Sequence, residues 1–146
     1  MRTTPSEDDS ASKNDIIVIM GKIKIDVADK LFSKWIRLRD KQCVRCRSKV
    51  KFNSKGLPIS HECSHFKGRG REATRFEPLN CDTLCYGCHA YLTAHPDKHI
   101  EFQVERKGQD VVDKIILQAN SYKKKDRAAE RKIWRERLWE DFHVKS

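Results

Sequence analysis

Between positions 43 and 89 the sequence concentrates the residue types that bind metals and move protons. Two C-x-x-C pairs, Cys43/Cys46 and Cys85/Cys88, offer four thiols, and His89 follows the last of them directly. Between the pairs stand His65 and, fifteen residues further on, Asn80. Four thiolates from two such pairs make the tetrahedral donor set that a structural zinc ion takes. Thirty-eight residues lie between Cys46 and Cys85, against about 15–20 in an ordinary zinc ribbon. Loop-closure entropy rises only slowly with length, so such a staple can enclose an independent unit. The alternative is two unrelated pairs, one of them a redox dithiol, and no βαβ pattern accompanies either.

The enclosed residues suit phosphodiester hydrolysis, which needs a base to activate water and a cation to stabilise the developing charge. His65 is placed to be the base. His89 is tied to zinc ligand Cys88, so its ring would lose little freedom on binding a second ion. Asn80 has an amide that can bridge backbone groups and hold the intervening loop closed. That loop, K-G-R-G-R-E-A-T-R-F, offers Lys67, Arg69, Arg71 and Arg75 with two glycines. Glycine lets backbone approach phosphate, and arginine grips its oxygens in pairs. An ion pair with Glu72 or Glu77 is the rival role for Arg75. Cys63 and Cys81 read as small buried apolar side chains, with extra metal ligands as the alternative. His61, His95 and His99 read as solvated surface, with His95 the best placed of them to flank a metal.

The elements that must hold these residues follow from periodicity. Residues 1–14 are polar and read as a disordered leader, and 15–42 read as an extended arm and a helix. In that helix Val27, Leu31, Trp35 and Leu38 share one face behind a cap at Asp26; Lys30, Lys34, Arg37 and Arg39 lie opposite, toward solvent or phosphate. Residues 43–95 form the stapled core: a knuckle, a loose hairpin over 49–59, strands over 59–66 and 79–84, and a helix from 85. Residues 96–146 form a helical region, with helices over 96–107, 110–120 and 123–142. The last carries a Trp134, Leu138, Phe142 stripe that suits its own core better than a dimer contact.

Composition bounds the partners. The chain of 146 residues carries 31 Lys and Arg against 21 Asp and Glu, a formal charge of +10, and a polyanion such as nucleic acid is the natural partner. No apolar run reaches the length of a membrane span, and the expectation is an intracellular, cytoplasmic protein with no membrane partner.

The run L-N-x-x-x-L-C-x-x-C-H downstream of His65 resembles the HNH motif of ββα-metal endonucleases. Further stretches, K-L-F-S-K-W-I-R-L-R-D-K-Q-C-V-R-C, S-H-F, R-F-x-x-L-N and A-H-P-D-K-H, are similar to the phage NinG (Rap) recombination proteins. The resemblance spans roughly residues 26–120. It implies an α+β fold, with a small zinc-stapled ββα-metal core and flanking helices. The implied activity is a metal-dependent DNA endonuclease that leaves 5′-phosphates, acting on duplex or on branched recombination DNA such as Holliday junctions. A phage-encoded protein, monomer or homodimer, fits that picture. By the same resemblance His65 is the general base, Asn80 holds the loop, His89 binds a catalytic magnesium or manganese ion, and Cys43, Cys46, Cys85 and Cys88 hold zinc.

One departure matters. Many HNH nucleases carry an acidic ligand immediately before the base, and here that position is Ser64, a weak ligand for a hard ion. Glu62 shares its strand face and could supply the carboxylate, directly or through water; otherwise the ion would have one protein ligand plus waters and phosphate oxygens. The departure also keeps open a second reading, a zinc-containing DNA-binding recombination accessory protein with a vestigial nuclease site.

Overall fold

The computed structural model describes residues 23–146; the leader and most of the arm expected before the first helix lie outside the described residues. Helix α1 (Val27–Asp40) begins at Asp26, whose carboxylate accepts from Ala28 N–H at 2.8 Å, while Asp29 reaches back to the Asp26 N–H at 2.7 Å. This reciprocal cap satisfies two of the donors that a helix start leaves orphaned. Strands β1 (Glu62–His65) and β2 (Cys81–Leu84) pair antiparallel, with His65 opposite Cys81 and Glu62 opposite Leu84. Between them run a short helix α2 (Glu72–Arg75) and a 3-10 turn (Pro78–Asn80). Helices α3 (Tyr86–Ala94), α4 (Pro96–Lys107), α5 (Gln109–Ala119) and α6 (Arg127–Phe142) follow, so the described residues are largely helical with one small two-stranded sheet, α+β in class.

Alternation along the strands sends successive side chains to opposite faces. Cys63, His65, Cys81 and Thr83 face α1, where the Thr83 hydroxyl donates to the Ile36 carbonyl. On this side Phe32, Trp35, Ile36, Trp134 and Leu138 build the larger core, with the Phe32 and Trp134 rings edge-on at 4.7 Å. Trp134 and Leu138 are thereby consumed in the protein's own interior. The other face carries Glu62, Ser64, Asp82 and Leu84. Leu84 packs with Val44, Cys88 and Leu92 in a second, smaller core beneath the knuckle. Asp82, 1% exposed, receives hydrogen bonds from Gln103, Arg106 and Lys107 of α4. Burial works against its charge, but Lys107 and Arg106 outweigh it and hold its pKa below the usual carboxylate range.

The elements are shorter than the sequence pattern suggests, each for a local reason. His61 adopts a left-handed φ of 65°, which ends any extended run from Ile59. The turn capped by Glu77 occupies 78–80, so the return strand starts at Cys81. The last helix starts at Arg127, not 123, because the Asp126 side chain caps it by accepting from Ala128 and Ala129. Two charges read as facing solvent or phosphate are instead braces: Arg37 donates to the Ser60 carbonyl, and Arg39 to Asp40 and to the carbonyls of Pro78 and Cys81. Among the described residues no helix is long and apolar enough to cross a membrane.

Candidate functional site

The knuckle 43–46 and the start of α3 converge. The sulfurs of Cys43, Cys46, Cys85 and Cys88 all lie within 4.8 Å of one another, close enough to hold a structural metal such as zinc. Zinc–sulfur bonds of about 2.3 Å in a tetrahedron place the sulfurs about 3.8 Å apart, and Cys46 Sγ is 3.7 Å from Cys85 Sγ. Each knuckle donates a backbone N–H to its own first sulfur, Cys46 N to Cys43 Sγ and Cys88 N to Cys85 Sγ, both at 3.4 Å. Cys85 is also the N-cap of α3. Arg45 donates to Cys88 Sγ at 3.3 Å. The second knuckle therefore fixes the first turn of α3, and His89 sits in that turn.

His89 faces back across the hairpin. Its Nδ1 lies 2.6 Å from Glu62 Oε1. A carboxylate only accepts, so Nδ1 is the donor and Nε2 is the ring nitrogen turned away from Glu62. Two ligands at right angles on one hard ion, with bonds of about 2.1 Å, would stand about 3.0 Å apart. The Glu62 contact is therefore a hydrogen bond that orients His89, the arrangement that carboxylates take behind metal-binding imidazoles. Ser64 is 2% exposed and lies on the strand face opposite His65, with Asp82 as its register partner.

His65 ends β1 on the α1 side, its ring 6.1 Å from that of Phe32. Its Nε2 lies 3.0 Å from the Arg75 carbonyl, which can only accept, so the proton is on Nε2 and Nδ1 holds the lone pair. Burial, then the nearby Arg69 charge, pushes its pKa down to about 4, so the ring is neutral throughout the physiological range. His65 and His89, approaching from opposite sides of the hairpin, line one cleft of about 340 Å³ whose walls also include Cys63, Gly68 and Arg69.

Asn80 is fully buried and stitches the loop shut. Its Oδ1 accepts from Lys67 N–H at 2.8 Å, and its Nδ2 donates to the carbonyls of Lys67 at 2.9 Å and Thr74 at 3.1 Å. This loop places the Arg75 carbonyl against His65.

The four basic residues of the loop divide. Arg75 is not available to a substrate, and its reading as a strand clamp is corrected: it is 5% exposed, grips Asp29 with Nε at 2.9 Å and Nη2 at 2.7 Å, and donates further to Glu72 and the Lys24 carbonyl. Asp29 is the main partner, not either of the nearby glutamates. Burial opposes its charge, but Arg75 outweighs it and lowers the Asp29 pKa. Arg71 is exposed but bonded through Nη1 to Asn120 Oδ1 at 2.9 Å. Lys67 lies over the Phe66 ring. Arg69 is the cation in the cleft, with only a loose 3.7 Å approach to Asp29. Arg69 also lines a neighbouring groove with Lys30 and Lys34 of α1.

The other histidines separate as well. His61 is clamped between Ser48 and Ser60, and His95 is exposed and stacked on Tyr91. His99 lies across a second cleft from His65, beside Gln103, and burial lowers its pKa. The Asp29–Arg75 and Asp82–α4 networks escape sequence reading, because partners 46 and 21–25 residues apart leave no local pattern. No family model, curated protein or solved structure matches the chain.

Proposed function

We propose that this protein is a metal-dependent DNA endonuclease of the HNH type, its core stapled by a structural zinc ion. The observation that carries the reading is one cleft lined by a neutral His65, a Glu62-oriented His89 and Arg69. An imidazole held by a carboxylate behind it could serve manganese or magnesium as the protein ligand, water and phosphate oxygens supplying the rest. Bound at His89, such an ion supplies charge neutralisation at the scissile phosphate and leaving oxygen.

The chain's own residues do the rest. His65 Nδ1 takes a proton from water, whose oxygen forms the new bond to phosphorus as the bond to the 3′ oxygen breaks, leaving a 5′-phosphate. Proton abstraction by a group of such low basicity is weak, but Arg69 is one cause of the depression. A phosphate seated on Arg69 neutralises that cation and raises the basicity of His65 when substrate is present. Lys67, Arg69 and Arg71 position the strand, and Lys30 and Lys34 extend the basic track along α1.

The second reading, a DNA-binding recombination accessory protein, draws on Ser64, which leaves no carboxylate beside the base. A labelled four-way junction and a matched linear duplex, incubated with magnesium, manganese or EDTA, separate the readings. Paired cuts confined to the junction identify a resolvase acting as a dimer, and cuts in both substrates a general nuclease. Binding without cutting under every metal supports the accessory protein. Glu62→Gln is expected to raise the metal concentration needed for cleavage; an unchanged requirement removes Glu62 from the site.

A further inference from the structure

The two cysteines outside the zinc knuckles do not stand alone. Cys63 and Cys81 flank His65, and the three ligand atoms lie within 4.8 Å of one another, a bound that the four sulfurs of the staple also meet. The backbone sets this up: Cys63 and His65 are alternate residues on one strand face, and Cys81 is the register partner of His65. With Nε2 of His65 donating to the Arg75 carbonyl, its second ring nitrogen carries the lone pair. Metal-binding histidines are oriented by just such a backbone acceptor.

We propose that Cys63, His65 and Cys81 form a second metal site for a thiophilic divalent ion of the zinc class, whose occupation withdraws the His65 lone pair from catalysis. Two thiolates and an imidazole select a soft or borderline ion over magnesium or manganese. The surroundings select its charge. Cys63 and Cys81 belong to the apolar core around Phe32 and Phe76, where two thiolates with a divalent ion are neutral overall and a monovalent ion would leave a net charge. Binding releases the two thiol protons to solvent, forms two sulfur–metal bonds and transfers no electrons. Cys63 and His65 both border the cleft that also holds His89, so the ion has an entry path and a fourth position open to water. The inhibitory consequence rests on the reading of His65 as the base; the metal site itself does not.

The test starts from the full chain carrying one zinc ion, titrated with cadmium while thiolate-to-cadmium absorbance and released zinc are followed together. The expected result is uptake of one cadmium equivalent, with an absorbance step matching two thiolates and no zinc release. Cys63→Ala removes that step and keeps the zinc; Cys81→Ala serves as the second variant if Cys63→Ala melts without cooperativity. In the magnesium-supported cleavage assay, one further equivalent of zinc slows the wild type at least tenfold and leaves Cys63→Ala unaffected. Cadmium uptake only by displacement of zinc, or a two-thiolate step that survives in Cys63→Ala, overturns the site. A genuine second site without inhibition of an active enzyme overturns its link to His65. An enzyme inactive under all metals leaves the spectroscopic result standing, so the two failures are distinguishable.

Discussion

Asn80→Asp changes one atom type at the stitch that closes the loop, and the structure allows its effect to be worked out. Lys67 N–H keeps its acceptor, but the second carboxylate oxygen would face the carbonyl oxygens of Lys67 and Thr74, now 2.9 and 3.1 Å from the amide nitrogen. Leaving two buried carbonyls unpaired costs about 1–3 kcal/mol each, and a repelled, buried carboxylate adds to that. The alternative is to protonate the introduced carboxyl, which restores one of the two donations. Its folded pKa is therefore raised above the unfolded value of about 3.9. The folded state then binds more protons than the unfolded, so the variant's stability is greatest at low pH and is lost as pH rises through the folded pKa. At about 1.4 kcal/mol per pH unit, the gap to wild type shrinks by up to about 2.7 kcal/mol between pH 7 and pH 5, from roughly 4–6 kcal/mol. Urea titrations followed by the fluorescence of buried Trp35 and Trp134 at the two pH values measure this directly. Titrations common to both proteins cancel in the difference. A variant as stable as wild type at pH 7, or a gap that does not change with pH, refutes the reasoning.

Four further outcomes follow from named contacts. His65, neutral in the fold with a pKa of about 4 against about 6.5 unfolded, contributes stability present above pH 6.5 and lost as pH falls toward 4. Between pH 6.5 and 5.5 wild type is expected to lose about 1 kcal/mol that His65→Gln keeps, read by parallel urea melts; equal losses reject the buried neutral ring. Arg75→Ala strands the Asp29 carboxylate and is expected to lower stability by about 3–5 kcal/mol. Arg69→Ala is expected to leave the melting temperature nearly unchanged and to reduce the salt slope of DNA binding by about 1; the reverse pattern overturns the division of the loop. Stripping zinc with a chelator is expected to lower the melting temperature sharply, since metal-binding energy is folding energy in such staples. A metal-free chain that melts at the same temperature contradicts the staple.

The parts of the fold legible in the sequence are those with a local signature. Leu31, Trp35 and Leu38 mark the buried face of α1 by spacing alone, although Val27, read as part of that face, is exposed; Trp134, Leu138 and Phe142 mark the packed face of α6. The two C-x-x-C pairs announce a metal set without revealing that Cys46 and Cys85 would meet at 3.7 Å. Strand alternation places Glu62 on the face of Ser64; the hydrogen bond to His89 depends on how α3 leaves the knuckle, which alternation does not encode. Arg75 shows the limit most clearly. Within its loop it has the same sequence character as Arg69, yet Asp29, far away in the chain, buries one and leaves the other in the cleft. Asp29 itself is spoken for twice, as part of the α1 cap and as the partner of Arg75, and no periodicity distinguishes it from a solvated charge. The clustering of Cys63 and Cys81 around His65 is likewise a product of strand register, set by hydrogen bonds between residues that sequence spacing leaves unpaired.

In the proposed mechanism His65 activates water at a metal-dependent phosphodiester site. The most direct measurement is single-turnover cleavage of labelled DNA with manganese by wild type and His65→Ala, with zinc content and DNA affinity measured on the same samples. Wild type is expected to cleave and to stop on adding EDTA, and His65→Ala to cleave at least about a hundredfold more slowly with zinc content and affinity unchanged. Equal cleavage by the two proteins contradicts that mechanism, as does a zinc-loaded wild type that binds DNA and never cuts it.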